Sequence, residues 1–120
     1  MRLFESGEDY LERILILKER NGQVRSIDIV NDMGFSKPSV SVAMKKLKEN
    51  GFISIDKNGF ITLTNQGNDI ATRVYERHQL LTKLFMSLGV PEEIALRDAC
   101  KIEHDLSEET FQAIKQRISK

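Results

Sequence analysis

The chain is 120 residues long, 40% hydrophobic and 30% charged, with 18 basic against 18 acidic side chains and 1 cysteine. That length suits one domain or two small lobes sharing a core and needs no staples, while a lone thiol excludes a disulfide framework and suits a reducing compartment. A net charge of zero excludes nucleic-acid binding through bulk positive charge, no apolar run reaches the roughly 20 residues of a membrane-spanning helix, and Met1 to Ser6 is too short for a targeting segment, so a soluble, cytoplasmic protein is expected.

Ser6-Gly7-Glu8-Asp9 has the spacing of a helix N-cap and opens a run in which Leu11, Ile14, Leu15 and Lys18 share one face until Asn21-Gly22. A shorter helix is expected from Ser26 to Met33, with Ile27, Ile29 and Val30 as its apolar surface and Gly34 as a left-handed end. Ser36 then caps a third helix with Pro38 in its first turn, where a missing N–H costs little. Val40, Ala43, Met44 and Leu47 face inward along it, up to Asn50-Gly51. Together these segments read as a helix-turn-helix. Phe52 to Ile55 and Phe60 to Leu63 alternate on either side of the turn Asp56-Lys57-Asn58-Gly59, which predicts a hairpin, the wing.

Thr64 caps a long helix through Ile70, Ala71, Val74 and Tyr75 that ends at Gly89-Val90-Pro91. Its Leu80, Leu81, Leu84, Phe85 and Leu88 are candidates for core or for a seam between copies. Two helices finish the chain, from Pro91 to about Leu106 and from Ser107 to Lys120, the second with Glu108 and Glu109 where the helix dipole favours anions. The expected fold class is mainly α with a small β-hairpin: a winged helix-turn-helix over residues 1–64, then a helical domain over 65–120.

The zero net charge conceals an asymmetry. Between Phe35 and Phe60, Lys37, Lys45, Lys46, Lys48 and Lys57 outweigh Glu49 and Asp56; from Pro91 to Glu109, Glu92, Glu93, Asp98, Glu103, Asp105, Glu108 and Glu109 outweigh Arg97 and Lys101. The first region suits phosphates and the second cations. A recognition helix presents short polar side chains near its N-terminus, where it meets base edges and phosphates. Ser36, Lys37, Ser39 and Ser41 answer that need, Pro38 and Val42 suit thymine methyls, and Lys45, Lys46 and the wing's Lys57 suit phosphates. Taken singly these residues are a cap, solvated hydroxyls and solubilising lysines. Their arrangement around a glycine turn and a basic-tipped hairpin points to double-stranded DNA.

Cys100, Glu103 and His104 stand at i, i+3 and i+4 of the helix expected over 91–106, so thiolate, carboxylate and imidazole share a face within reach of one ion. Asp9 and Glu12 make a second carboxylate-bearing face on the first helix, and His78 offers an imidazole from a third direction. Each has a plainer reading alone: Asp9 as a capping acid, Glu12 as a partner of Arg13, His78 as a solvated histidine, Cys100 as a small buried hydrophobe. Cys-x-x-Glu-His on one face tips the balance to a divalent transition metal. No general base or oxyanion donor accompanies these ligands, so an enzyme is not expected.

The stretches Glu8-Asp9-Tyr10-Leu11-Glu12, Ser36-Lys37-Pro38-Ser39-Val40-Ser41, Leu63-Thr64-Asn65-Gln66-Gly67, Arg77-His78 and Ala99-Cys100-Lys101-Ile102-Glu103-His104 resemble, as a set, the diphtheria-toxin-repressor and manganese-transport-regulator family of metal-dependent transcription factors. The likeness runs along essentially the whole chain. It implies an N-terminal winged-helix domain, a metal-binding and dimerisation domain built from the last helices, and a homodimer on inverted operator half-sites, with neither a membrane nor a protein partner implied. It is to the shorter, manganese-type members without a carboxy-terminal SH3-like barrel. In those members Asp9, Glu12, His78, Glu103 and His104 would all be ligands of a two-ion cluster. Their pattern has a carboxylate where this chain has Cys100, the iron-type choice, while Leu96 and Thr82 stand where iron-type members place ancillary ligands. The implied ion is Mn2+ or Fe2+, with Co2+, Zn2+ or Ni2+ accepted in vitro, because soft sulfur disfavours manganese and Asp9 supports harder ions. The resemblance thus implies a repressor of metal-homeostasis genes; the alternative is a winged-helix regulator that answers to oxidation of Cys100 or to a small molecule.

Overall fold

The structure, a computed structural model, describes residues 5–118. The first residues of the segment read as too short for targeting, and the last two of the helix expected to reach Lys120, lie outside the described residues. The elements run α1 (Glu5–Asn21), α2 (Ser26–Met33), α3 (Lys37–Glu49), β1 (Ile53–Ile55), β2 (Ile61–Leu63), α4 (Asn65–Ser87), α5 (Glu92–Ile102) and α6 (Glu108–Ile118). Two compact units divide between Thr72 and Arg73, inside α4.

In the first unit α1 is already helical at Glu5, so Ser6 lies within it and does not cap it. Its buried stripe is Tyr10, Leu11, Ile14 and Leu17, spaced to share one helical face; Lys18, which the periodicity placed on that face, is exposed. In α2 only Ile29 of the expected apolar set is fully buried, and Ile27 faces solvent. The helix ends at Gly34, whose φ of 73° is the left-handed conformation that a side chain resists, with its N–H returned to Val30 O at 3.0 Å. Ser36 Oγ then accepts from the Ser39 amide at 3.2 Å and caps α3, which buries Val40, Met44 and Leu47.

The hairpin pairs Ile53 with Leu63, Ser54 with Thr62 and Ile55 with Ile61. Asp56 Oδ1 closes its tip by accepting the amides of Asn58 at 2.8 Å and Phe60 at 3.0 Å. On the other side of β2 the Ile61 amide donates to Val24 O at 2.7 Å, which fastens the wing to the segment just before α2. At the start of α4, Thr64 Oγ1 accepts from the Gly67 amide at 3.2 Å and donates to Gly51 O at 2.7 Å. Gly67 meets the Phe52 carbonyl so closely that a Cβ would collide with the backbone there. Glycine at 67 is therefore a steric requirement: the first turns of α4 lie against the hairpin's entry, and Ala71 joins the core.

In the second unit Val74, Leu81, Ala95, Ala99 and Phe111 are buried. Helix α5 stops at Ile102, short of the expected Leu106, and Ser107 Oγ caps α6 by accepting the Thr110 amide at 3.1 Å. Of the leucine-rich end of α4 only Leu81 is buried outright; Leu88 is 72% exposed, and Met86, Ile94 and Leu96 are also exposed. Among the described residues no helix is long and apolar enough to cross a membrane.

Substituting Gly67→Ala should lower stability by about 1 to 3 kcal/mol, the usual cost of overpacking against groups that cannot yield. Urea denaturation of the wild-type and variant chains checks this.

Candidate functional site

In the first unit, Ser36, Lys37, Pro38, Ser39, Ser41, Val42, Lys45 and Lys46 are all exposed, on the side of α3 away from Val40, Met44 and Leu47. Val42 is 54% exposed, an apolar side chain set among hydroxyls and ammonium groups, which suits contact with a methyl-bearing base edge. Ser36 does more than cap: its hydroxyl also donates to Ser39 Oγ at 2.9 Å, so the two hydroxyls are oriented as a pair. Lys57 is exposed at the tip of the hairpin, beyond the turn that Asp56 fixes.

Arg25, which sequence patterning passes over, lies against the hairpin. Its amide donates to Asp28 Oδ2 at 2.8 Å at the start of α2, and its guanidinium lies 4.3 Å over the Phe60 ring. No sequence signal links Arg25 to a phenylalanine so distant along the chain. On α1, Asp9 is half-buried and Glu12 is buried. Arg13, considered as a partner for Glu12, makes an ion pair with Asp32 at 3.1 Å.

In the second unit, the helix that was to carry Cys100, Glu103 and His104 on one face ends before two of them. Glu103 is the C-cap of α5, still in the right-handed helical conformation (φ −60°, ψ −23°) with its N–H on Ala99 O at 3.0 Å. The one-turn spacing from Cys100 therefore survives, and the Cys100 Sγ and a Glu103 carboxylate oxygen lie within 4.8 Å of each other. Cys100 is exposed, which removes its reading as a buried hydrophobe. His104 is instead in the turn that follows, and its imidazole is brought to the same carboxylate by that turn, Nε2 standing 3.5 Å from Glu103 Oε1.

The Glu103 side chain has no exposed surface. Its Oε2 is 2.8 Å from His78 Nδ1, and its Oε1, though buried, has no hydrogen bond. A buried carboxylate oxygen left in this condition is costly, and the donor set around it, carboxylate, imidazoles and thiol, is the set that first-row divalent ions accept. The residues fit such an ion.

What shapes this turn is a residue to which sequence patterning assigned no role. Arg77, 7% exposed, donates from Nη1 to Glu103 O at 3.1 Å and Leu106 O at 2.7 Å, and from Nη2 to Glu108 Oε2 at 3.0 Å. Its guanidinium carbon also lies 5.1 Å from the centre of the Phe111 ring. Hydrogen bonds from Gln112 and Arg77 hold the Glu108 carboxyl below the usual carboxylate range. That contribution to stability is therefore complete above the ordinary carboxylate range and is lost as pH falls below it. Thr82, at an ancillary position in iron-type proteins, donates its hydroxyl to the His78 carbonyl of its own helix at 2.7 Å.

Comparison with known proteins matches two family models to this chain: the iron dependent repressor N-terminal DNA binding domain over residues 2–59, and the iron dependent repressor metal binding and dimerisation domain over residues 64–120. The transcriptional regulator MntR of Escherichia coli O157:H7 is 37% identical over 108 residues, 90% of this chain and 70% of that one. An HTH-type transcriptional regulator of Methanocaldococcus jannaschii is 34% identical over 114 residues, 92% of this chain and 90% of that one. Among solved structures, the manganese regulator SloR superposes with a TM-score of 0.84 at 28% identity, covering 94% of this chain and 53% of that one. A manganese-dependent transcriptional repressor in complex with manganese gives 0.85 at 26% identity, covering 94% and 52%. The chain thus spans about half the length of these solved proteins.

Replacing His78→Ala takes away a hydrogen bond to a fully buried carboxylate and should destabilise the metal-free protein by about 1 to 3 kcal/mol. Urea unfolding in the presence of chelator measures the loss.

Proposed function

The chain belongs to the iron-dependent repressor family, and on that premise we propose that it is a cytoplasmic repressor of metal-homeostasis genes that binds double-stranded operator DNA as a homodimer when loaded with Mn2+ or Fe2+. Members of this family are DNA-binding regulators rather than enzymes. In this reading residues 1–64 form the DNA-binding domain and residues 65–120 the metal-binding and dimerisation domain. The observation that carries it is the Glu103 carboxylate, without exposed surface, set between His78 and His104 with Oε1 lacking a hydrogen bond.

The proposed ligands are Asp9 and Glu12 from α1, His78 from α4, Cys100 and Glu103 from α5 and its cap, and His104 from the turn. A bound divalent ion supplies the positive charge that a buried carboxylate needs. Since Asp9 and Glu12 share a unit with the DNA-facing residues and the other ligands do not, a common ion ties the separation of the two recognition helices in a dimer to metal loading. A coupling of about 1 to 3 kcal/mol changes operator affinity by about 5- to 150-fold, and linkage makes DNA tighten metal binding equally. Ser36, Lys37, Pro38, Ser39, Ser41, Val42, Lys45, Lys46 and Lys57 form the proposed DNA contacts. The exposed Leu88, Met86, Ile94 and Leu96 supply apolar surface for self-association.

Cys100 sets the metal question. SloR and a second solved neighbour are manganese regulators, yet a thiolate in this set draws the preference toward Fe2+, Co2+ or Zn2+. The deciding experiment is operator binding against graded Mn2+, Fe2+, Co2+ and Zn2+ under anaerobic, reducing conditions. Ion-dependent binding is expected with at least one of them. A reduced protein that binds none of these ions, but whose DNA affinity changes with peroxide, would replace metal sensing with thiol oxidation at Cys100.

Glu103→Ala should weaken metal binding by at least about 10- to 100-fold and abolish metal-dependent operator binding in a dimer that stays folded. Ser39→Ala should weaken DNA binding and leave metal uptake unchanged. Cys100→Glu should move the preference toward Mn2+, read as the ratio of half-saturating Mn2+ to Co2+ in the same binding assay.

A further inference from the structure

Resting on the repressor reading, we propose that Arg77 is a positioning residue for the ion site: it fixes the turn that presents Glu103 and His104, and so sets ion affinity without itself touching the ion. A helix that stops leaves its last carbonyls without intrahelical partners. Beyond the end of α5 at Ile102, the carbonyls of Glu103 and Leu106 are answered by the same Arg77 nitrogen, at 3.1 Å and 2.7 Å. The peptide segment between these two anchors contains His104, and its first residue is Glu103. One side chain thereby holds the backbone from which both groups project.

Arg77 also leaves the Glu103 carboxylate alone. An arginine beside a buried carboxylate ordinarily takes both oxygens in a bidentate pair. Here the two terminal nitrogens of Arg77 are committed to two backbone carbonyls and to Glu108, whose charge answers its own, while its buried Nε has no hydrogen bond. The Glu103 carboxylate is left to His78 and His104, with Oε1 still short of a hydrogen bond. Arg77 also directly precedes His78, so consecutive residues of α4 place an imidazole at the site and anchor the turn that completes it. A lysine could reach one of these acceptors but could not serve all of them with a planar fork.

The test uses the full chain and measures Co2+ and Mn2+ affinity by competition with a chelator, together with the visible spectrum of the Co2+ form, which reports ligand geometry. Arg77→Met should weaken both ions by about 10- to 100-fold and alter the cobalt spectrum, with Arg77→Lys falling between it and wild type. Glu108→Gln, which loosens only the outer anchor, should weaken binding by a smaller factor. Val74→Ala, at a buried position of the same helix outside the turn, serves as the stability control and should lower Tm with affinity unchanged. An Arg77→Met chain that is folded by circular dichroism and binds within about twofold of wild type overturns the proposal. Should that variant fail to fold, wild-type affinity in both Arg77→Lys and Glu108→Gln overturns it equally. A wild-type chain that binds neither ion overturns the repressor reading and this inference together, whereas wild-type binding with unaffected Arg77 variants overturns this inference alone.

Discussion

A carboxylate with no exposed surface has lost its water, and the protein must supply what water gave. Around Glu103 that supply is partial: one oxygen faces a histidine nitrogen at hydrogen-bond distance, and the other has an imidazole nearby but no hydrogen bond. The arginine that could neutralise it is turned to the backbone instead. Leaving a buried polar atom unanswered costs on the order of 1 to 3 kcal/mol, and local strain of this kind accumulates where function requires it. Apart from Arg77 and Glu103, the buried residues of the second unit are apolar. Its buried alanines at 95 and 99 line one side of α5, and Phe111 of α6 lies under the Arg77 guanidinium.

The elements whose signals are local were legible in the sequence. Ser36, Gly34 and Thr64 announce their helix ends because capping is decided within a few residues, and the hairpin follows from alternation around an Asp-Lys-Asn-Gly turn. Helix periodicity misled at two places. It put Lys18 on the buried face of α1, where Leu17 sits instead, and it carried the helix of Cys100 on to Leu106. The helix stops instead at Ile102, and Arg77, distant in sequence, takes the carbonyls of Glu103 and Leu106 in the segment that follows. Ser6 failed as a cap because the helix is under way at Glu5.

The candidate site shows the same division. Cys100, Glu103 and His104 were found by spacing, and Glu103 and His104 do meet, although through a cap and a turn rather than on a helical face. Arg77 and Gly67 both fall inside stretches that the family resemblance picked out, but no physical role could be assigned to either until the backbone that each one touches was in view. The cation-π contact of Arg25 with Phe60 lay beyond any reading of local pattern.

The bond between the Ile61 amide and the Val24 carbonyl has a thermodynamic consequence. A two-stranded ribbon alone is marginal in water, yet here its second strand is flanked by β1 on one edge and by the approach to α2 on the other, with Ile53 and Ile61 in the same core as Leu11 and Met44. The ribbon is therefore no free flap: for it to lift away, the Ile61–Val24 bond must break and Ile53 and Ile61 must leave the core that α1 and α3 share, so displacing the surface that carries Lys57 costs part of the core that supports Ser39.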